Sequence, residues 1–287
     1  MKVGAIIQAR MSSTRLPGKV LKELPYNSGI TVLEQVIRRL KKSKNLKKIV
    51  VATTTEKSDK VIINIAKKEN IRCFRGSKED VLSRYYFAAK ENDLDVVVRI
   101  TGDCPCVDPE IVDLIITKHI EAEADFTTNC FKRTYPHGLD VESFNFNILK
   151  EAHANAHNAY EKEHVTPHIY GNPNVYNIIQ VEAPRDLYAP KIRITLDTEE
   201  DYALLCVIFD HLYIKNEYFN AYDIVNLFKE KPWLCLINKK SLQKKAYNSF
   251  KEECQQAIKA LDLHGLKRVS NFLRKQLNED HNLNRRR

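Results

Sequence analysis

Val3–Ile7, Ile49–Thr53, Ile71–Phe74 and Val96–Ile100 are short apolar runs, each followed by a segment whose apolar residues recur three and four positions apart. A strand that is apolar at successive positions, rather than at every second one, has both faces covered. The intervening segments carry helix-start chemistry. Thr31 and Glu34 form a capping box ahead of Val32, Leu33, Val36, Ile37 and Leu40. Ser58 precedes Val61, Ile62, Ile65 and Ala66, and the Ser77/Asp80 pair precedes Val81, Leu82, Tyr85, Tyr86 and Ala89. Asp108 followed by Pro109 places a cap and then a first-turn proline before Ile111, Val112, Ile115 and Ile116. Strand and helix thus alternate four times before Asp125. The pattern predicts an α/β chain: a three-layer α/β/α Rossmann-like domain on a mainly parallel sheet.

Beyond Asp125 the pattern is less regular. It predicts strands at Asp125–Thr128, Leu139–Phe144, Tyr176–Val181 and Lys191–Leu196, with helices at Asn147–Tyr160, after the Thr198/Asp201 capping pair, and at Tyr222–Lys229. Two more helices are expected around Leu242–Leu261 and Leu266–Leu277. The charge divides the chain at the same place. The formal net charge is +9, and from Lys239 to Arg287 thirteen Lys/Arg stand against five Asp/Glu. The expected organisation is a main domain over residues 1–238 and a basic helical extension over 239–287.

Composition removes several function classes. No run approaches the roughly 20 apolar residues that span a bilayer, and the first residues lack a signal peptide's apolar core. A soluble, cytoplasmic protein is the expectation. The seven cysteines include no C-x-x-C pair, which argues against a zinc ribbon and for reduced thiols. The main domain is nearly neutral, a charge balance that argues against a nucleic-acid partner for it.

In a parallel α/β sheet, ligands bind beyond the C-terminal strand ends. Three sequence features lie at such ends. The first strand empties into Gln8-A-R-M-S-S-T-R-L-P-G-Lys19, where Arg10, Arg15 and Lys19 stand among small residues, Pro17 and Gly18. Turn amides together with arginine forks and a lysine point charge suit a polyphosphate. Neither G-x-x-x-x-G-K nor G-x-G-x-x-G is present. Asp103 follows the fourth strand in T-G-D-C-P, and Asp197 follows K-I-R-I-T-L. Each reads either as a local turn or cap residue, or as half of a two-carboxylate Mg²⁺ site. Farther on, His137 sits in P-H-G-L-D-V-E with Asp140 and Glu142, and Glu163-H-V-T-P-H supplies a second polar cluster around His164.

The segments I-I-Q-A-R-M-S-S-T-R-L-P-G-K, R-I-T-G-D-C-P, H-G-L-D-V-E, E-H-V-T-P and L-D-T-E-E-D-Y together resemble the cytidylyltransferases that make CMP-activated sugar acids. Within that family they are most similar to the branch of spore-coat polysaccharide biosynthesis proteins, over about Met1 to Trp233. The resemblance implies a nucleotidyltransferase domain that uses CTP and an anionic small-molecule acceptor, with Mg²⁺ as cofactor and a homodimer as assembly. It implies that Arg15 and Lys19 hold the triphosphate. Ala9 and Arg10 would lie along the nucleotide with Ser12 or Ser13 in support, and Arg75 and Arg84 near the base. Asp103 and Asp197 are implied as metal ligands; the latter matches the second metal-binding Asp of the keto-deoxy-octulosonate enzymes. Those enzymes carry a different segment in place of H-G-L-D-V-E, which leaves the acceptor open. His137 and Arg193 could pair with an anionic acceptor, while Asp140, Glu142 or His164 could serve as base for a hydroxyl acceptor. Two other readings stay in view. A nucleotide-sugar glycosyltransferase would share the fold, although the D-x-D arrangement is missing after Asp103. A non-catalytic nucleotide- or nucleic-acid-binding protein would use the basic extension.

Overall fold

The computed structural model describes residues 1–241 and 250–283, and divides the chain into two compact units, Met1–Asn238 and Lys239–Arg287. The first half of the larger unit runs β1 (Val3–Gln8), α1 (Val32–Leu40), β2 (Lys48–Thr54), α2 (Lys60–Lys68), β3 (Arg72–Gly76), α3 (Val81–Glu91), β4 (Val96–Thr101) and α4 (Pro109–Glu121). Next come β5 (Phe126–Thr128), β6 (Glu142–Asn145), α5 (Phe146–Asn155), α6 (Ala159–His164), α7 (Pro167–Tyr170) and β7 (Ile178–Gln180). It closes with α8 (Glu199–Leu212), α9 (Ala221–Glu230) and α10 (Leu234–Ile237).

The seven strands form one sheet in the order β3-β2-β1-β4-β6-β5-β7. All pairs are parallel except those made by β6, which runs antiparallel to both β4 and β5. Chain order reverses direction between β1 and β4, so the crevice beyond their C-terminal ends is the topological switch point. Ile7 lies level with Val51 on one side and Ile100 on the other, which brings the loops after β1 and β4 side by side.

Continuous apolarity has the predicted cause. Val3, Ala5 and Ile7 of β1 and Val96, Val98 and Ile100 of β4 pack under α1, α4, α8 and α9. The alternate residues Ile6, Val50, Ala52 and Val97 pack under α3 and α5. Three of the expected helix starts are built as read. Thr31/Glu34 is a full capping box, Asp80 caps α3, and Asp108 caps α4 with proline in its first turn. The start at Ser58 is not. A short 3-10 turn, Lys57–Asp59, intervenes, and the buried Asp59 carboxylate turns away from α2 to accept from Met11 N at 2.8 Å and from Thr53 and Thr54.

The middle of the chain departs most from its pattern. The strand expected over Leu139–Phe144 begins only at Glu142, and Lys191–Leu196 forms no strand, contributing one bridge between His137 and Arg193. The helix expected over Asn147–Tyr160 breaks after Asn155, where Ala156 takes an extended ψ of 114° and Asn158 starts a new capping box. Fully buried Arg39 was not foreseen as a brace. Its Nε donates to Val107 O at 2.7 Å, Nη2 donates to Phe219 O, and the guanidinium lies 4.6 Å from the Phe219 ring centre. It thereby ties α1 to the approaches of α4 and α9.

The second unit contains α11 (Phe250–Leu263) and α12 (Lys267–Leu283), joined through Gly265 at φ +72°. Cys254, Ile258 and Ser270 are buried within it, and Arg274 pairs with Asp262. The first half of the helix expected at Leu242–Leu261 lies outside the described residues. No helix among the described residues is long and apolar enough to cross a membrane, and all seven cysteines are free thiols.

Candidate active site

The loop after β1 is more tightly stitched than its composition implies. Met11 O accepts from Ser13 N at 2.9 Å and Gly18 N at 3.0 Å, and Met11 N is pinned by Asp59. Gly18, at φ +69°, lies in the left-handed region that favours glycine and turns the chain into a 3-10 turn starting at Lys19. Across the crevice, Gly102 N donates to Gln8 O at 2.9 Å. A Cβ on Gly102 would stand 3.0 Å from both Gln8 O and the Ala9 Cβ, so the small residue lets the two strand ends approach.

Asp103 and Asp197 meet at this crevice. Leu196 N donates to Asp103 O at 2.9 Å, which sets the two segments side by side. Lys19 Nζ then lies 2.5 Å from Asp103 Oδ2 and 2.8 Å from Asp197 Oδ1. Asp197 Oδ2 receives Arg15 at 2.9 Å and Arg193 at 2.8 Å. Burial alone would raise the Asp197 pKa, but Lys19, Arg193 and Arg15 together hold the carboxyl well below its usual range. Burial likewise opposes the Lys19 charge, and the two aspartates outweigh it, raising the lysine above its ordinary value.

Two carboxylates that share one ammonium can also share one metal cation. Among the described residues no group of three or more His, Cys, Asp and Glu side chains is arranged to hold a metal. Two carboxylates would be enough for a hard ion such as Mg²⁺, whose other positions water and phosphate can fill.

The network continues toward the 133–140 loop. Arg193 Nη1 lies 3.1 Å from His137 Nδ1. Arginine has no acceptor, so this Nδ1 accepts, and the proton of the neutral ring sits on Nε2, 3.5 Å from Asp140 Oδ2. Burial is the main cause of the lowered His137 pKa, which keeps the ring neutral at pH 7. Asp140 is also paired with Arg133, a residue the sequence reading missed. Gly138, at φ +116°, allows the loop to press on the next segment: a Cβ there would lie 2.8 Å from Ile194 C and Thr195 N.

The other candidates separate from this cluster. Asp140 and Glu142 do not share a strand face, because the strand starts only at Glu142. Glu142 is buried against Arg99 at 2.6 Å, with Thr166 Oγ1 at 3.4 Å. Arg99 would otherwise be an uncompensated charge inside the sheet, so Glu142 answers a packing need. His164 ends α6 with its ring 4.5 Å from the Tyr160 ring. Arg75 is spent on backbone carbonyls, donating to Thr54 O at 3.1 Å and Thr55 O at 2.7 Å. Arg84 is buried and donates to Ser77 O at 2.9 Å, but its Nε has no partner. Ala9 is buried at the strand end, and Ser13 Oγ faces Leu16 N at 3.5 Å. Ser12 is exposed on the loop, and Arg10 makes no hydrogen bond or ion pair among the described residues. The thiols nearby are not nucleophiles, since burial pushes Cys106 up to about 12 and Cys104 well above its usual range.

A parallel-sheet domain with cations and paired carboxylates at its switch point is the architecture of a nucleotidyltransferase. The chain belongs to the cytidylyltransferase family, whose model matches residues 4–258 and so reaches past Trp233 into the second unit. It is 36% identical to the spore coat polysaccharide biosynthesis protein SpsF of Bacillus subtilis over 71% of this chain and 85% of that protein. An uncharacterised protein of Methanocaldococcus jannaschii is 37% identical over 88% of this chain and its own full length. Among solved structures, a cytidylyltransferase from Leptospira borgpetersenii superposes with a TM-score of 0.76 at 36% identity, covering 86% of this chain and all of the other. A CMP:2-keto-3-deoxy-manno-octonic acid synthetase complexed with CTP shares the fold, with a TM-score of 0.56 at 14% identity, covering 74% and 99% of the two chains.

Proposed function

We propose that the first unit catalyses CTP-dependent transfer of CMP to an anionic sugar or phosphorylated acceptor, releasing pyrophosphate, and that the chain works as a homodimer. The observation that carries this reading is one cation, Lys19 Nζ, held between the carboxylates of Asp103, after β4, and Asp197, just before α8, with Arg15 paired to the second of them. Asp103 and Asp197 would hold Mg²⁺, which when bound offsets charge on the phosphate oxygens and aligns donor with acceptor.

The chain's own residues account for the rest. An acceptor oxygen attacks the α-phosphorus of CTP, the bond to the bridging oxygen breaks, and its electron pair leaves on pyrophosphate. Arg15 and Lys19 neutralise the charge that collects there, which speeds transfer to the extent that they bind the transition state more tightly than the ground state. Arg10 and the Met11–Gly18 turn would line the triphosphate. Arg84, with a buried Nε still to be satisfied, and Arg75 would lie on the base side.

Arg133, His137 and Arg193 form a cationic and hydrogen-bonding edge beside the aspartate pair, which favours an acceptor bearing a carboxylate or phosphate. Such an oxygen is already ionised and needs no base. For a hydroxyl acceptor, Asp140 is better situated than Glu142, since it meets Arg133 and His137 whereas Glu142 is taken by Arg99. Relatives named 3-deoxy-manno-octulosonate cytidylyltransferases match this chain over 39% to 52% of its length, at 32% identity over 127 residues for one from Chloroherpeton thalassium. They support a sugar-acid acceptor as the first class to try.

The test is pyrophosphate release from CTP, ATP, GTP and UTP against a panel of sugar acids and phosphorylated sugars. Release with CTP and an anionic acceptor, lost on chelation of divalent ions, is expected. Release of free nucleotide from a nucleotide sugar would instead identify a glycosyltransferase, and metal-independent turnover would remove the role given to Asp103 and Asp197.

A further inference from the structure

The segment Asp197-T-E-E-Asp201 contains a helix cap, and a cap is all that the pattern requires. Thr198 accepts from Asp201 N at 3.3 Å, and Asp201 Oδ2 returns a bond to Thr198 N at 3.1 Å. In an ordinary capping box the carboxylate takes that one backbone donor and otherwise faces solvent. Asp201 does considerably more. Its side chain is fully buried, and Oδ2 also accepts from Asp197 N at 3.0 Å and Arg193 Nη2 at 3.0 Å. Oδ1 accepts from Arg193 Nε at 3.0 Å and Asn238 Nδ2 at 2.8 Å. Asn238 Nδ2 also reaches Arg193 O, 3.0 Å away. These contacts exhaust the roughly four lone-pair directions of a carboxylate.

The consequence falls on Arg193. Gripped side-on through Nε and Nη2, its planar fork cannot rotate. That orientation aims Nη2 at Asp197 Oδ2, 2.8 Å away, and Nη1 at His137 Nδ1, 3.1 Å away. We infer that Asp201, steadied by Asn238, is a positioning residue for the transfer. It orients the Asp197 carboxylate toward Lys19 and the Arg193 guanidinium toward the acceptor-side loop, joining the metal side of the site to the acceptor side. Its charge matters as well as its shape. Arg193 divides its attraction between two aspartates, so Asp197 keeps more of its negative charge available to a cation than it would as the sole partner of Arg193. The inference rests on the transferase reading for what Asp197 and Arg193 do.

The experiment uses the full-length chain and three variants: Asp201→Asn, Asn238→Ala and Thr198→Ala. The last removes the same helix cap without touching Arg193. Thermal stability, kcat and KM for CTP, and Mn²⁺ binding followed by electron paramagnetic resonance in the presence of CTP are measured for each. Partners that orient metal ligands are worth about 10- to 100-fold in metal affinity or activity. Asp201→Asn is therefore expected to lose turnover and Mn²⁺ affinity in about that range, more in kcat than in KM for CTP. Asn238→Ala should move the same way by about threefold to tenfold, the smaller effect of losing a neutral donor while both Asp201–Arg193 bonds remain. Thr198→Ala should lose stability yet stay within about twofold of wild type in kcat and Mn²⁺ affinity, since the bonds of Arg193 to Asp201, Asp197 and His137 do not run through the Thr198 hydroxyl.

If Asp201→Asn fails to fold, Asn238→Ala against Thr198→Ala decides. Equal kinetic loss in those two at matched stability would reduce Asp201 to a structural cap and overturn the inference. So would wild-type Mn²⁺ affinity in Asp201→Asn. The Mn²⁺ titration needs no turnover, so it separates two failures. A wild type that binds Mn²⁺ no better than its variants sinks this inference alone, whereas a wild type that neither binds Mn²⁺ nor turns over sinks the transferase reading and this inference with it.

Discussion

Replacing Lys19 by methionine keeps an unbranched side chain out to Cε and removes the ammonium from between Asp103 and Asp197. The three side chains are 12%, 21% and 16% exposed, so the pair is neither a surface contact nor fully buried. Losing one partner of a fully buried ion pair costs about 3–5 kcal/mol, and an exposed pair contributes about 0–1 kcal/mol. Arg15 and Arg193 remain on Asp197 in the variant, which favours the lower half of that span, about 2 kcal/mol. For a unit of 238 residues this corresponds to a fall of roughly 4–8 °C in Tm. Magnesium should then act differently on the two proteins. In the variant the ion enters between two carboxylates that lack a shared cation, and at about ten times its Kd it returns about 1.4 kcal/mol. In the wild type the ion must first displace the ammonium, so its effect without nucleotide is smaller. Thermal unfolding with and without Mg²⁺, in the absence of CTP, reads both quantities. An equal Mg²⁺ gain in the two proteins, or no loss on removing the ammonium, would refute the idea that Lys19 stands where the metal binds.

Stability should respond to pH at three points. Asp197 has a depressed folded pKa, so its contribution is complete above its unfolded value of about 4 and is lost as pH falls further. Lys19 has a raised one, so its contribution is complete below about pH 10 and is lost as pH rises past the folded pKa. Their ion pair should accordingly add no slope to Tm between about pH 5 and 9. His137 is lowered by burial, so below about pH 6.5 the unfolded chain takes up its proton first and stability declines with acidification. In His137→Gln the Tm slope between about pH 5 and 6.5 should be shallower, and an unchanged slope would show that the ring titrates alike in both states. Gly138→Ala meets the Ile194 and Thr195 backbone at 2.8 Å from a positive-φ position, and should cost at least about 3 kcal/mol by chemical denaturation; a loss below about 1 kcal/mol would mean the loop moves freely. Arg133→Ala should raise KM for an anionic acceptor about tenfold while leaving KM for CTP unchanged, as expected of an arginine that binds only the acceptor's charge. A change in CTP affinity instead would reassign Arg133 to the nucleotide side.

Local chemistry in the sequence determined the half of the molecule that runs from β1 to α4. Continuous apolar strands, helix periodicity and the caps at Thr31, Asp80 and Asp108 act within a few residues of each other, and no distant partner was needed to read them. The placement of Lys19 and Asp103 beyond C-terminal strand ends followed from that alternation, and the strand order made that place the switch point. Tertiary structure alone decided what the later polar residues do, because identical short motifs serve different ends according to what faces them. Glu142 and Asp140 are two apart, yet one neutralises Arg99 inside the sheet and the other meets Arg133 and His137. Asp59 and Asp201 both stand at helix starts, yet one pins the opening loop and the other grips Arg193. Lys191–Leu196 has strand composition but gains only a single bridge, since its neighbours are the 133–140 loop and Asp103 rather than a free sheet edge. A charged side chain takes the partner that lies nearest once the chain has folded, and chain separation carries no information about which partner that is.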